Sequence, residues 1–215
     1  MPEAIDVYWS FRSPYSYFVT PDLVKLCADY DVEIAVRIVL PIAVRDPGLL
    51  FDAKDLKKPM YILRDSRRRA EFLGMPFMIP ARPDPIVQEA GTMKVAENQP
   101  YIYRLSALGV EAQRRGRGLE LITEVSALIF GGTEGWDEGS HLADAVARAG
   151  LDLAELDAAI DGGDQLEEIE RNQQALDAAG HWGVPTMVLR EEPFFGQDRI
   201  DTLRWRLDQL GLGRS

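Results

Sequence analysis

The sequence predicts an α/β protein carrying a large all-helical insertion. Three observations predict it. Residues 1–42 read β-α-β; residues 43–163 keep helical periodicity and lose strand-like runs; residues 164–215 read α-β-β-α. The expected division is one domain over 1–42 and 164–215, with the helical insertion domain over 43–163. A chain of 215 residues, 46% hydrophobic and 27% charged, is large enough to bury a substantial core. Its apolar runs fall far short of the roughly 18 residues a spanning helix needs.

The elements follow in order. Ala4–Trp9 is short and β-rich, and reads as a strand. Ser13 before Pro14 makes an N-cap with proline at the first helical position, where a missing N–H costs nothing. The helix runs on through Leu23, Leu26, Cys27 and Tyr30, spaced by three and four. Glu33–Leu40 is a second strand, and a helix of this length between two strands implies a right-handed parallel crossover. In the insertion, helices are expected over Met60–Leu73, Ala90–Ala96, Tyr101–Arg115, Leu119–Phe130, Ser140–Ala149 and Leu153–Ile160. Pro76, Pro80, Pro83 and Pro85 force Met75–Pro85 into an extended loop. Gly131–Gly135 lacks a following Gly-Lys-Ser/Thr and reads as a helix connector. Gln165–Ala179 is a helix stopped by Gly180. Val184–Leu189 is a strand that opens on Pro185, Glu192–Phe195 is a strand after a turn at Arg190 and Glu191, and Asp198–Leu210 is the closing helix. Proline cannot donate to a ladder, so Pro185 belongs at a strand's first residue or edge; a cis Val184–Pro185 bond would leave the Val184 backbone free to pair outward.

Charge and cysteine usage narrow the function. The balance of 24 Lys+Arg against 35 Asp+Glu gives −11, which disfavours nucleic acid and anionic membrane as partners. The one basic cluster, Arg114-Arg115-Gly116-Arg117, reads as a solvated helix end. A single cysteine makes no internal disulfide, and Cys27, beside Leu23, Val24 and Leu26, is expected to be a buried inert thiol. With Asp6 inside the first apolar stretch and no basic leader, a cytoplasmic protein is expected. His141 and His181 have no partner at ligand spacing, so no metal site is expected; His181 can reach a pocket edge.

The chemistry concentrates at Ser13-Pro14-Tyr15-Ser16. A helix N-terminus attracts an anion. Hydroxyls cannot undergo thiol–disulfide exchange, but a small thiol seated there would meet the Ser13 hydroxyl and the helix end, which together lower its pKa from about 8.5. The stretches Phe11-Arg12-Ser13-Pro14-Tyr15-Ser16-Tyr17, Gly183-Val184-Pro185-Thr186 and Phe195-Gly196-Gln197-Asp198-Arg199 resemble 2-hydroxychromene-2-carboxylate isomerases and the related kappa-class glutathione transferases, over nearly the whole chain. The resemblance implies a thioredoxin-like fold with a helical insertion, DsbA-like, in which redox members carry Cys-x-x-Cys where this chain has Ser13-Pro14-Tyr15-Ser16. It implies glutathione as cofactor and Ser13 as the catalytic residue. The thiolate that Ser13 stabilises would add reversibly to a conjugated small molecule of the kind met in aromatic degradation.

The same resemblance makes Val184, presented by a cis Pro185, and Gln197 and Asp198 the glutathione contacts. Lys58, before Tyr61-Ile62-Leu63-Arg64-Asp65, becomes a carboxylate counter-ion. The stretch Asp46–Asp52 lacks the asparagine that the family often places there. Phe11, Tyr15 and Trp182 are the candidates for the substrate pocket, and a homodimer is implied. The alternatives are a kappa-like transferase, a DsbA-like protein without the redox pair, and a non-enzymatic thiol- or peptide-binding module.

Overall fold

In the computed structural model, residues 2–50, 56–79, 81–92 and 94–214 are described. Pro80, Met93 and residues 51–55, on which parts of the loop, helix and asparagine expectations fall, lie outside them. Strand β1 (Glu3–Trp9) feeds helix α1 (Pro14–Asp29), which returns the chain to β2 (Val32–Ile38). The two strands pair in parallel, from Glu3 opposite Val32 to Trp9 opposite Ile38. Ile5, Val7 and Trp9 are fully buried, and Tyr8 on the other face is only 5% exposed, so β1 is covered on both sides.

Helices fill the stretch between β2 and the next strand: α2 (Ile42–Arg45), α3 (Pro47–Leu50), α4 (Lys57–Leu73), α5 (Ile102–Arg114), α6 (Gly118–Phe130), α7 (His141–Arg148), α8 (Leu153–Ile160) and α9 (Gln165–Ala178). The chain then forms β3 (Thr186–Leu189), β4 (Glu192–Phe195), a 3₁₀ turn at Gln197–Arg199, and α10 (Ile200–Gln209). β3 runs antiparallel to β1 and to β4, giving the order β2-β1-β3-β4. The thioredoxin-like α/β fold with its helical insertion is therefore present. One apolar cluster joins Trp9, Phe18 and Ile38 to Leu108, Leu121 and Phe130 of the inserted helices. Among the described residues, no helix is long and apolar enough to cross a membrane.

Several local expectations change. Ala90–Ala96 is not a helix: Gln88 bridges Val95 in antiparallel fashion, and Glu89 N–H donates to Lys94 O. Gly91, at φ +72°, turns the chain out of helical conformation. The buried Gln99 side chain then satisfies Val87 N–H and the carbonyls of Val87 and Ala96, so the turn needs no helical ladder. The third strand begins at Thr186 rather than Val184, since Pro185 has no N–H to donate. The closing helix starts at Ile200, after the 3₁₀ turn. Cys27 is half-buried rather than sealed, and burial pushes its thiol pKa up. The basic cluster is consumed by acids: Arg114 pairs with Asp164 and Glu168, Arg115 with Glu111, and Arg117 with Glu120.

Gly109 of α5 marks where the insertion presses on the sheet. A Cβ there would lie 2.8 Å from the Ile38 side chain and 3.0 Å from Phe11, both buried. Helix propensity alone would favour Gly109→Ala by about 1 kcal/mol, whereas overpacking costs about 1–3 kcal/mol. The expected outcome is a net loss of about 1 kcal/mol, read as a lower urea midpoint at unchanged slope; a stabilised variant would show that α5 can move off the sheet.

Candidate active site

The end of β1 and the entry to β3 meet at Ser13 and Val184. Ser13 Oγ caps α1 by accepting from Ser16 N–H at 3.2 Å, and its hydroxyl lies 3.4 Å from the carbonyl oxygen of Val184, to which it donates. Pro14 has no N–H, the first turn of α1 carries no acidic residue, and Tyr15 N–H finds no acceptor among the described residues. The Val184–Pro185 bond is cis. Val184 N–H is also without an acceptor among the described residues. Pro185 O accepts from Gly196 N–H at 2.9 Å, so the 3₁₀ turn bearing Gln197 and Asp198 starts on this same loop.

A cavity of about 280 Å³ opens beside these groups and is lined by Ser13, Tyr15, Tyr61, Trp182, Val184 and Phe195 among others. One wall is aromatic. His181 stacks on Phe195 with centroids 3.9 Å apart and on Trp182 at 5.3 Å. Gly183 lets the wall close up, because a Cβ there would sit 2.5 Å from the Phe195 ring. His181 Nδ1 accepts from Gly183 N–H at 2.9 Å, and burial holds the imidazole below the ordinary histidine range.

Tyr15 also lines the cavity, and its hydroxyl donates to Asp65 of α4 at 2.7 Å. Burial, then this carboxylate, raises the phenol well above its ordinary pKa. Burial pushes Asp65 up, but hydrogen bonds from Arg68 and Tyr15 outweigh it and hold its carboxyl low. Arg12 makes a two-pronged ion pair with Asp84, at 2.5 and 2.7 Å. Arg45 donates to Leu40 O at 2.6 Å and to Trp182 O at 2.8 Å, with burial lowering its pKa.

Of the expected site residues, Ser13, Tyr15, Trp182 and Val184 line this one cavity. Phe11 does not: it is 1% exposed and packs in the core. Phe11 lies in the turn after β1, and its ring packs towards Gly109 of α5 within the core. Pro185 is buried behind Val184. Gln197 and Asp198 stand beside the cavity rather than in its lining; Gln197 Oε1 accepts from Arg69 at 2.8 Å, and the Asp198 side chain, 58% exposed, faces Arg199. Lys58 is exposed, donates to Leu49 O at 2.7 Å and does not line the cavity. Arg12, Arg45 and Asp84 were not singled out by sequence reasoning, yet among the described residues they supply every charged side chain in the lining. Arg12 could have been found from its place beside Ser13; Arg45 and Asp84 sit in a four-residue helix and a proline loop, where no periodicity points inward.

Comparison with known proteins places this geometry. A family model described as the DSBA-like thioredoxin domain matches residues 4–208. A 2-hydroxychromene-2-carboxylate isomerase of Pseudomonas putida is 26% identical over 211 residues, covering 96% of this chain and 95% of the relative. A solved structure of a 2-hydroxychromene-2-carboxylate isomerase superposes with TM-score 0.73 at 23% identity, over 96% of this chain and 95% of the other. The cytosolic disulfide reductase DsbM of Pseudomonas aeruginosa with GSH superposes with TM-score 0.58 at 13% identity, over 95% and 99%. Likeness at these identities speaks for the fold.

The lowered His181 pKa has a defined consequence. The neutral imidazole is favoured by folding, so its contribution is present above about pH 6.5 and lost as pH falls from there through the folded-state value. His181→Gln is expected to reduce the loss of stability between about pH 7.5 and 5.5, measured as the difference between urea midpoints; an unchanged difference would show that the imidazole titrates as in the unfolded chain.

Proposed function

Because this chain belongs to the DSBA-like thioredoxin domain family yet has Ser13-Pro14-Tyr15-Ser16 at the start of its first helix, we propose that it is a glutathione-dependent isomerase of the 2-hydroxychromene-2-carboxylate type. One observation carries the reading. The Ser13 hydroxyl and the unpaired Val184 N–H border the same apolar cavity, at a helix end with no cysteine. The isomerase name of the relative that matches over 96% of the chain supports it, as does the similarity in fold to DsbM, a protein solved with GSH.

The residues present fit glutathione. Unpaired N–H groups at Tyr15 and Val184 are donors awaiting a partner, since backbone donors that leave water go unmatched only at a cost. When bound, glutathione supplies a thiolate nucleophile that the chain itself lacks. Ser13 Oγ–H, held only by a long bond to Val184 O, turns to donate to an anionic sulfur, and the α1 terminus adds its positive potential. Val184 offers N–H and C=O to a peptide backbone as a short added strand. Gln197 and Asp198 receive the α-amino acid end on the adjoining turn. Trp182 and Phe195 hold a flat conjugated substrate by face contact. Tyr15 stays a neutral phenol and keeps α4 fixed through Asp65.

Reduced glutathione is expected to raise the melting temperature progressively, as RT ln(1 + [L]/Kd) requires. Ser13→Ala is expected to stay folded, losing about 1 kcal/mol of cap stabilisation, while turnover of 2-hydroxychromene-2-carboxylate falls by about 10²–10³. No thermal shift at millimolar glutathione, or near wild-type turnover in the variant, would overturn the reading. Insulin reduction should be undetectable.

A further inference from the structure

The geometry points to Arg45 as the carboxylate receptor of the cavity, which deepens the reading above by naming the group that a ligand must present there. Among the described residues, three charged side chains line the cavity: Arg12, Arg45 and Asp84. Arg12 and Asp84 cancel in their two-pronged pair. Arg45 has no such partner. Its Nε and one terminal nitrogen are spent on the carbonyls of Leu40 and Trp182, and no carboxylate of the described residues pairs with it. Asp177 and Asp46 act on it only through space.

A half-buried cation without a counter-ion is costly to keep in an apolar wall. Here it is also fixed in direction. The two carbonyls belong to the segment entering α2 and to the segment carrying Trp182, so the guanidinium spans the cavity rim, and its remaining terminal nitrogen has no bond among the described residues. In a chain of net charge −11, the charged side chains of the described residues that line this cavity sum to +1, which favours an anion there. The adjoining surface is Trp182, Phe195, Ile42 and Ile86. The ligand matched to such a wall has a flat apolar body and one carboxylate. Both the conjugated substrate and the glycyl end of glutathione carry that group.

The test uses two acid–ester pairs titrated by tryptophan fluorescence, which Trp182 reports from the cavity wall. The pairs are 2-hydroxycinnamate with its methyl ester, and glutathione with its glycyl monoethyl ester. The unmodified protein is expected to prefer the acid by about tenfold in at least one pair, the size of one charge-assisted hydrogen bond. Which pair shows it identifies the source of the carboxylate. Arg45→Gln should bring that ratio near one, while Arg45→Lys, which keeps the charge but cannot span both carbonyls, should retain most of it. Ratios near one for both pairs in the unmodified protein would overturn the assignment. So would an unchanged ratio in Arg45→Gln, or equal loss in both variants, which would mean that Arg45 only holds the two segments together. The aryl pair is titrated without glutathione, so failure of glutathione to bind leaves this result readable on its own.

Discussion

The central position of β1 is the constraint on which the site depends. Its parallel neighbour β2 requires the chain to leave β1 at Trp9 and enter a crossover helix at that end of the sheet. Its antiparallel neighbour β3 begins at that same end, with Thr186 opposite Tyr8. Two segments 171 positions apart are thereby brought together, and Ser13 Oγ meets Val184 O. No side chain has to reach far. The backbone ladder sets the meeting point, and the helix end supplies the electropositive character that favours an anion there.

Around that meeting point the protein separates two uses of charge. On the surface, acids and arginines are matched pairwise, as at Arg104 with Asp157, Arg148 with Glu124 and Arg206 with Glu192. Such exposed pairs contribute little individually, and they consume the cations that a net acidic chain retains. Inside the cavity the pairing stops after Arg12 and Asp84, and the contrast with the surface is what gives Arg45 its meaning.

Much of this was legible in the residues. The β-rich run of β1, the Ser13-Pro14 cap and the proline ahead of β3 each have a local cause, and each element formed close to where its local chemistry pointed. The expected site residues that line the cavity, Ser13, Tyr15, Trp182 and Val184, sit at or near those element ends. What was not legible depends on side-chain direction or on contacts far along the chain. Phe11 looked like an aromatic at the mouth, but the turn after β1 directs it into the core against α5. Gly91 and Gln99 together replace an expected helix with a turn, and neither residue alone announces that outcome. Arg45 and Asp84 gain their roles from partners 137 and 72 positions away.

The contact of Gly109 with Ile38 and Phe11 carries a consequence for how such a protein can be rebuilt. Phe11 lies two residues before Ser13, so the inserted bundle leans directly on the turn that aims the hydroxyl. Asp84, also from the insertion, grips Arg12 in the same turn. A bundle borrowed from a distant cousin would therefore not be a detachable cassette. It would have to bring its own bare backbone and its own acid to those two places, or the transplanted chimera would inherit the framework while losing its aim.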